Sequence, residues 1–393
     1  MKVFKNHGTI GILTGGGDVP GLNPAIRRIV GSAIAQNYKV LGIKRGWAGL
    51  VEMVRSRNVD NRDCFEEFSQ SVLNATSMHV ETFLHSSRTK PSELKADDVP
   101  EHLKDLYNEP TNDLTPEVIK NIEYLGIDCL VVIGGDDTLK YALRLHNEGV
   151  KIVGIPKTMD GDVPGTDYCL GFSTCITRTI DLINTLSVSA GSHERFLVIE
   201  VFGRYAGFTA MLPAVVGVAT RCVIPEYKFS VNQLAELLVE DRAKSPDHFS
   251  TVVVSEGAKF NGFEPQPDAT GHLTHGCGEE LAYRLRKASA KYNGGKRIDT
   301  IFQNLGYLVR TGCPDFSDSI VPIGFANVAM ESILNKNFGV MTALRSGKYT
   351  TSPLEVVASE TKVVDVEKFY DTELLCPKKA EFSGRQMMWM TSL

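Results

Sequence analysis

No apolar run in the 393 residues approaches the roughly 18 that a membrane-spanning helix needs, and the first residues carry no basic-then-apolar leader. The expected compartment is a reducing cytoplasm, with no membrane partner. The eight cysteines (Cys64, Cys129, Cys169, Cys175, Cys222, Cys277, Cys313 and Cys376) include no Cys-x-x-Cys pair. Several stand inside apolar runs, as Cys129 does in Asp-Cys-Leu-Val-Val-Ile, so buried reduced thiols are expected rather than zinc ligands or disulfides. Basic residues are not in excess: 42 Lys and Arg stand against 47 Asp and Glu, a formal charge of −5. Without a basic footprint, nucleic acid is not an expected partner. Internal repeats and low-complexity segments are also lacking.

What remains is an ordinary globular composition, 42% hydrophobic and 23% charged, in a chain long enough for two domains. Near-continuous apolar runs at 9–13, 40–43, 129–133, 152–155, 196–201 and 251–254 read as parallel strands covered on both faces. Helical patterns at 23–36, 137–147, 174–187, 231–244, 278–290 and 317–335 alternate with them. In the first of these, Asn23 is placed to cap, Pro24 suits the first turn, and Ile26, Ile29, Val30, Ala33 and Ile34 supply the apolar stripe. The alternation predicts a doubly wound α/β fold with mainly parallel sheets. Ligands then bind beyond the carboxyl ends of the strands, where the glycine-rich turns fall. Residues 90–115, with proline and acidic residues, read as an exposed connection.

Three such turns carry chemistry. The first, Thr14-Gly15-Gly16-Gly17-Asp18-Val19-Pro20-Gly21-Leu22-Asn23, can bring backbone amides against an anion. It fits neither the dinucleotide nor the Walker pattern, because the spacing differs and no Gly-Lys-Ser/Thr follows. The second, Gly134-Gly135-Asp136-Asp137-Thr138, offers Asp136 to a Mg²⁺ ion, a hard cation that prefers carboxylate, water and phosphate oxygens. The alternative is that Asp136 or Asp137 simply caps the following helix. The third holds Lys157, Thr158, Asp160 and Asp162. A carboxylate there can take a proton from a hydroxyl attacking phosphorus, and a lysine can offset charge on the transferring group. The plainer alternative is an acidic loop with a solvated lysine.

In order and spacing these turns resemble the phosphofructokinase family. The third extends the match through Pro-Lys-Thr-Met-Asp-Gly-Asp-Val-Pro-Gly-Thr-Asp-Tyr, and Ser87-Arg88-Thr89, Gly203-Arg204, Ser255-Glu256-Gly257 and Leu305-Gly306-Tyr307-Leu308-Val309-Arg310 add to it, over roughly residues 8 to 340. The resemblance implies two Rossmann-like domains, a larger one of residues 1–171 plus 314–393 and a smaller one of 172–313. It implies Mg²⁺ as cofactor, held by Asp136, and Asp160 as the base for the sugar 1-hydroxyl, with Thr158 and Asp162 shaping that loop. Arg195 and Arg310 match positions that clamp the 6-phosphate, Arg204 orients the sugar, and Phe202 and Gly203 precede it. Glu256 matches a carboxylate that accepts from sugar hydroxyls, and Tyr307 points towards the 6-phosphate. Gly16, Gly17 and Arg88 fall to the donor phosphates. In the family the match of Arg195 comes from a neighbouring subunit, so a homodimer or homotetramer with composite sites is implied.

Two positions bear on the donor. ATP-using members carry glycine where this chain has Asp137 and Lys157, whereas members that use inorganic diphosphate carry aspartate and lysine. The chain therefore resembles the diphosphate-dependent branch, with fructose 6-phosphate as acceptor. An aspartate there would crowd and repel a nucleotide α-phosphate, at a cost on the order of 4 kcal/mol for like charges 4 Å apart at an effective dielectric of 20. Lys157 would supply contact that the missing nucleoside cannot. Two departures stand out: Phe202 replaces a methionine, and Ile301 stands where many relatives have an arginine, Arg297 being close but out of register. A longer acceptor such as sedoheptulose 7-phosphate stays open on that account. The other readings are an ATP-dependent 6-phosphofructokinase, a lipid or dinucleotide kinase, and a non-catalytic sugar-phosphate-binding subunit. The Lys-Thr-Met-Asp loop disfavours the lipid or dinucleotide kinase, and retention of Asp136, Asp160 and Lys157 disfavours the non-catalytic subunit. After about residue 345 no motif is legible.

Overall fold

The structure, a computed structural model, describes residues 7–75, 82–266, 273, 276–359 and 362–382. In chain order the main elements begin with β1 (Thr9–Gly15), α1 (Leu22–Ala35), β2 (Lys39–Ile43), β3 (Phe65–Glu67), α2 (Thr115–Tyr124), β4 (Cys129–Gly134), α3 (Asp136–Asn147) and β5 (Ile152–Pro156). There follow α4 (Phe172–Ser192), β6 (Phe196–Val201), α5 (Phe208–Val215), β7 (Arg221–Val223), α6 (Val231–Lys244) and β8 (Ser250–Ser255). The last are α7 (Gly278–Tyr292), β9 (Thr300–Asn304), α8 (Phe316–Leu334), β10 (Val340–Arg345) and β11 (Lys348–Pro353). The fold is α/β and doubly wound, as the alternation predicts, and it divides into two compact units.

The first unit comprises Met1–Thr158, Val163–Gly171 and Thr311–Glu360. Its seven-stranded sheet runs β11-β10-β5-β4-β1-β2-β3, parallel from β10 to β2 with antiparallel edges. Ile10, Ile12, Leu13, Leu130, Val131, Val132 and Ile133 are fully buried, which explains runs that show no polar alternation. Each such side chain contributes roughly 1.5–3 kcal/mol on burial. Strand order reverses at β1, which has β2 on one side and β4 on the other, so the crevice at its carboxyl end is a switch point. Gly15 pairs with Gly134 and Gly134 with Pro156, so all three chemistry-bearing turns leave the sheet at one level.

Two local expectations are corrected in this unit. Asn23 does not cap α1: the N-cap is Gly21 at φ 100°, a left-handed conformation that suits glycine, and the Asn23 Oδ1 instead accepts from the Phe83 N–H at 3.2 Å. Nor are residues 90–115 merely an exposed connection. Leu94–Lys95 pairs with Thr111–Asn112, and Leu94, Val99, Leu103 and Leu114 enter the unit's core. Their apolar side chains are spaced irregularly among polar ones, so neither period exposes them.

The second unit comprises Met159–Asp162, Phe172–Arg310 and Thr361–Leu393. Its four-stranded sheet, β9-β6-β8-β7, is wholly parallel. The expected boundary, which left 314–393 entirely with the first unit, is corrected here. Phe369, Tyr370 and Leu375 are at most 1% exposed, the Tyr370 hydroxyl donates to Cys222 O at 2.7 Å, and the Cys222 N–H donates to Leu375 O at 3.0 Å. That short aromatic segment therefore completes the second core. Six of the eight cysteines are buried, Cys313 is exposed and Cys376 half-buried, all as free thiols. No described helix is long and apolar enough to cross a membrane.

Candidate active site

In the first unit, Gly16 and Gly17 leave the end of β1, and the Gly16 N–H donates to Ser87 O at 2.9 Å. This contact lays the Ser87-Arg88-Thr89 stretch along the glycine turn and leaves Arg88 exposed. Lys157 is only 5% exposed, and its ammonium donates to Gly17 O at 2.6 Å. The solvated-lysine reading is thereby overturned: the charge is buried against the glycine turn. Thr158 is half-buried and its N–H donates to Leu170 O at 3.2 Å.

Asp136 and Asp137 occupy the first turn of α3, where the helix dipole favours their charge. Neither caps it, because the N-cap is Gly135 and no side chain bonds there. Asp136 accepts from Lys140 at 2.7 Å. Asp137 is exposed and lies 3.5 Å from the Lys90 ammonium, a partner concealed in the supposed connection. A Mg²⁺ ion keeps several waters and takes one or two carboxylates plus substrate phosphate oxygens. Asp136, two residues beyond the Gly134 that pairs with Gly15, fits that mode. Among the described residues no three His, Cys, Asp or Glu gather into an all-protein cage.

In the second unit, the ends of β6, β8 and β9 bring Phe202–Arg204, Glu256 and Tyr307–Arg310 to one sheet edge, Val201 pairing with Ser255 and Glu200 with Asn304. The Glu256 N–H donates to Val201 O at 2.9 Å and the Gly257 N–H to Gly203 O at 3.2 Å, which ties two of these ends together. Gly203 sits at φ 127°, and a Cβ there would stand 2.7 Å from Ala206 O. Gly257 lies so close to Arg204 O that no side chain fits. The Arg310 guanidinium stacks over Phe202 at 4.9 Å and over the exposed Tyr307 at 5.7 Å.

Around this edge the carboxylates are held far from their ordinary state. Burial, and then the Asp162 charge, push Asp160 up to about 7, against the Arg204 backbone N–H and the Arg310 and Arg204 guanidiniums. Glu256 is pushed up to about 8, by burial first and then by Asp160 and Glu200, with Arg204 and Arg310 again opposing. Carboxylates that share such a space titrate as a group. Glu200 was not singled out from sequence. It lies 2% exposed in β6, accepting from the Gly278 N–H at 2.7 Å and from Asn304, and burial raises it. A glutamate inside Phe-Leu-Val-Ile-Glu-Val was the available signal, since a lone charge in an apolar strand is rarely buried without a task.

Arg195 is not part of this edge. It precedes Phe196 at the amino end of β6, the whole six-residue strand away from Gly203. Arg297 is likewise at the amino side of β9, and Ile301 lies within that strand paired with Leu197.

The first unit carries glycine-rich and acidic turns and a buried lysine at a switch point, and the second unit carries a carboxylate–arginine cluster, each of a kind that phosphoryl transfer uses. The chain belongs to the phosphofructokinase family, whose model, described as Phosphofructokinase, matches residues 9–333. It is 33% identical over 370 residues to the pyrophosphate–fructose 6-phosphate 1-phosphotransferase of Dictyoglomus thermophilum, covering 92% of this chain and 96% of that protein. It is also 33% identical over 347 residues to the ATP-dependent 6-phosphofructokinase of Chloroflexus aurantiacus, covering 88% and 89%. The solved pyrophosphate-dependent phosphofructokinase of Nitrosospira multiformis shares the fold at TM-score 0.73 and 17% identity, over 95% of this chain and 89% of that one. Overall identity does not separate the two donors.

Proposed function

We propose that the chain is a diphosphate-dependent 6-phosphofructokinase that works reversibly in the cytoplasm. It transfers a phosphoryl group from diphosphate to the 1-hydroxyl of fructose 6-phosphate, giving fructose 1,6-bisphosphate and orthophosphate. The observation that carries the donor choice is Lys157, buried on Gly17 O with Asp137 standing at the start of α3. Asp160 takes the proton from the sugar hydroxyl as its oxygen bonds to phosphorus and the bond to the leaving phosphate breaks. Lys157, Arg88 and the amides of Gly16 and Gly17 hold the donor, and Asp162 and Thr158 hold the loop. Arg204 orients the sugar beside Phe202 and Gly203. Glu256, protonated at neutral pH, pairs with a sugar hydroxyl without repelling phosphate. Arg310, Tyr307 and the partner subunit's Arg195 clamp the 6-phosphate in a homodimer or homotetramer. When bound at Asp136, Mg²⁺ neutralises charge on the transferring group.

The ATP-dependent reading rests on the Chloroflexus aurantiacus relative, which is as similar as the diphosphate-using one. Product identity tests the proposal. Phosphorus NMR of the protein with Mg²⁺, diphosphate and fructose 6-phosphate or sedoheptulose 7-phosphate should show a bisphosphate and orthophosphate. No turnover with either diphosphate or ATP would revive the non-catalytic reading.

Two smaller predictions arise here. Chelating Mg²⁺ should abolish turnover reversibly while leaving the melting temperature unchanged, since the described residues form no all-protein cage; a fall in melting temperature would give the metal a structural role. The pH profile should show an acid limb near 7 in kcat/KM. A carboxyl raised to about 7 keeps its proton below that value and cannot accept another, so the rate falls as pH falls. A profile flat between pH 5.5 and 8 would contradict Asp160 as the base.

A further inference from the structure

A closed ring of hydrogen bonds joins the carboxylate cluster to the C-terminal segment. The Asp160 carboxylate accepts from the Arg204 backbone N–H. The turn from Arg204 closes at Gly207, whose N–H donates to the Glu226 Oε1 at 2.9 Å. The same oxygen accepts from the Val364 N–H at 2.8 Å. Two residues earlier, the Lys362 N–H donates to Asp162 O at 3.2 Å, which returns to the loop that carries Asp160. The Lys362 ammonium stacks over the Phe208 ring at 5.4 Å, at the start of α5. Every member of the ring belongs to the second unit.

Glu226 is costly where it stands. Its Oε2 is buried with no hydrogen-bond partner among the described residues, and an unmet buried oxygen costs about 1–3 kcal/mol. Both N–H groups meet the one oxygen, Oε1, so what the contact requires is that accepting oxygen, which a glutamine carbonyl would also supply. The segment it grips is firmly anchored further on, by Phe369, Tyr370 and Leu375 in the core and by Leu374 O accepting from Arg221.

We propose that Glu226 is a positioning residue, and that it and the backbone of Lys362–Val364 form a strap setting the Asp160 loop against the Arg204 turn. The inference rests on the function proposed above, since it assigns the strap to that same site. The strap holds two loops that the sheet anchors only at one end: the Arg204 turn follows β6, and the Asp160–Asp162 loop enters the unit as a four-residue excursion. Without it, the Asp160–Arg204 N–H bond alone would hold the two loops in register, and a misplacement on the order of 1 Å between base and orienting group costs about a hundredfold in rate.

The test is a set of variants assayed for fructose 6-phosphate phosphorylation, at a temperature where circular dichroism shows each folded. Glu226→Ala should lower kcat by about tenfold or more with the diphosphate KM unchanged, because the donor groups lie in the other unit. Glu226→Gln, which keeps the accepting oxygen, should restore most of the loss. Lys362→Pro, which removes the donor to Asp162 O together with the ammonium over Phe208, should lower kcat in the same way, whereas Lys362→Ala, which keeps the N–H, should not. The double variant Glu226→Ala with Lys362→Pro should be little worse than either single one, since the ring is already open. Folded single variants with wild-type kcat, or fully additive losses, would overturn the proposal. If Glu226→Ala does not fold, Lys362→Pro decides alone. An inactive wild-type protein would instead overturn the function on which the strap depends.

Discussion

Asp160→Asn is expected to cut kcat by at least about a hundredfold, the scale of a lost general base, while raising the melting temperature. The two effects share one cause. Burial and Asp162 lift the folded carboxyl to about 7, whereas in the unfolded chain it titrates near 4. Between those values the folded state keeps a proton that the unfolded state has lost, so stability falls as pH rises through that window and stays lowered above it. Asparagine removes this penalty and keeps an oxygen for the Arg204 N–H. A rise on the order of 2 °C at pH 8, shrinking towards pH 4, is the expected signature in calorimetry. A mild loss of kcat would move the base to Asp162. A lower melting temperature would mean that the arginines already compensate the charge.

The second large effect is a change of donor. Asp137→Gly with Lys157→Gly should lower kcat/KM for diphosphate by about 10- to 100-fold, the loss of one charge-assisted contact of roughly 1.5–3 kcal/mol. It should raise ATP use by a comparable or smaller factor. The unscreened estimate for Asp137 against an α-phosphate overstates the gate. Its side chain is 64% exposed with Lys90 3.5 Å away, so solvent and the lysine both weaken the repulsion. Space rather than charge is then the main obstacle that Asp137 sets. The single variants separate the roles: Asp137→Gly should act chiefly on ATP, and Lys157→Gly on diphosphate. No gain in ATP turnover from the double variant would clear Asp137 as the gate.

The sheet strands of the first unit were legible because parallel strands buried on both faces leave unbroken apolar runs, as in Leu130–Ile133. Edge elements were not. β9 is half-buried along its length, and β10 and β11 form an antiparallel margin whose polar residues mask the pattern. The donor turns were readable as motifs, yet their surroundings were not: sequence spacing does not reveal that Lys157 is buried, nor that Lys90 reaches Asp137. Capping was misjudged at Asn23, and the capping alternative for Asp137 fails for the same reason. Asn23 and Asp137 are good capping residues, but Gly21 and Gly135 hold the cap positions, and the polar side chains serve other contacts. Glu226 was invisible, since nothing in Ile-Pro-Glu-Tyr tells that residues some 140 positions later will close on it.

Donor choice can be read from a single comparison. Initial rates with saturating fructose 6-phosphate and Mg²⁺ are taken with diphosphate and with ATP, each varied, and the two kcat/KM values are compared. Diphosphate should exceed ATP by about a hundredfold or more, the sum of Lys157 attraction and Asp137 exclusion. Equal values, or a preference for ATP, would contradict diphosphate as the donor.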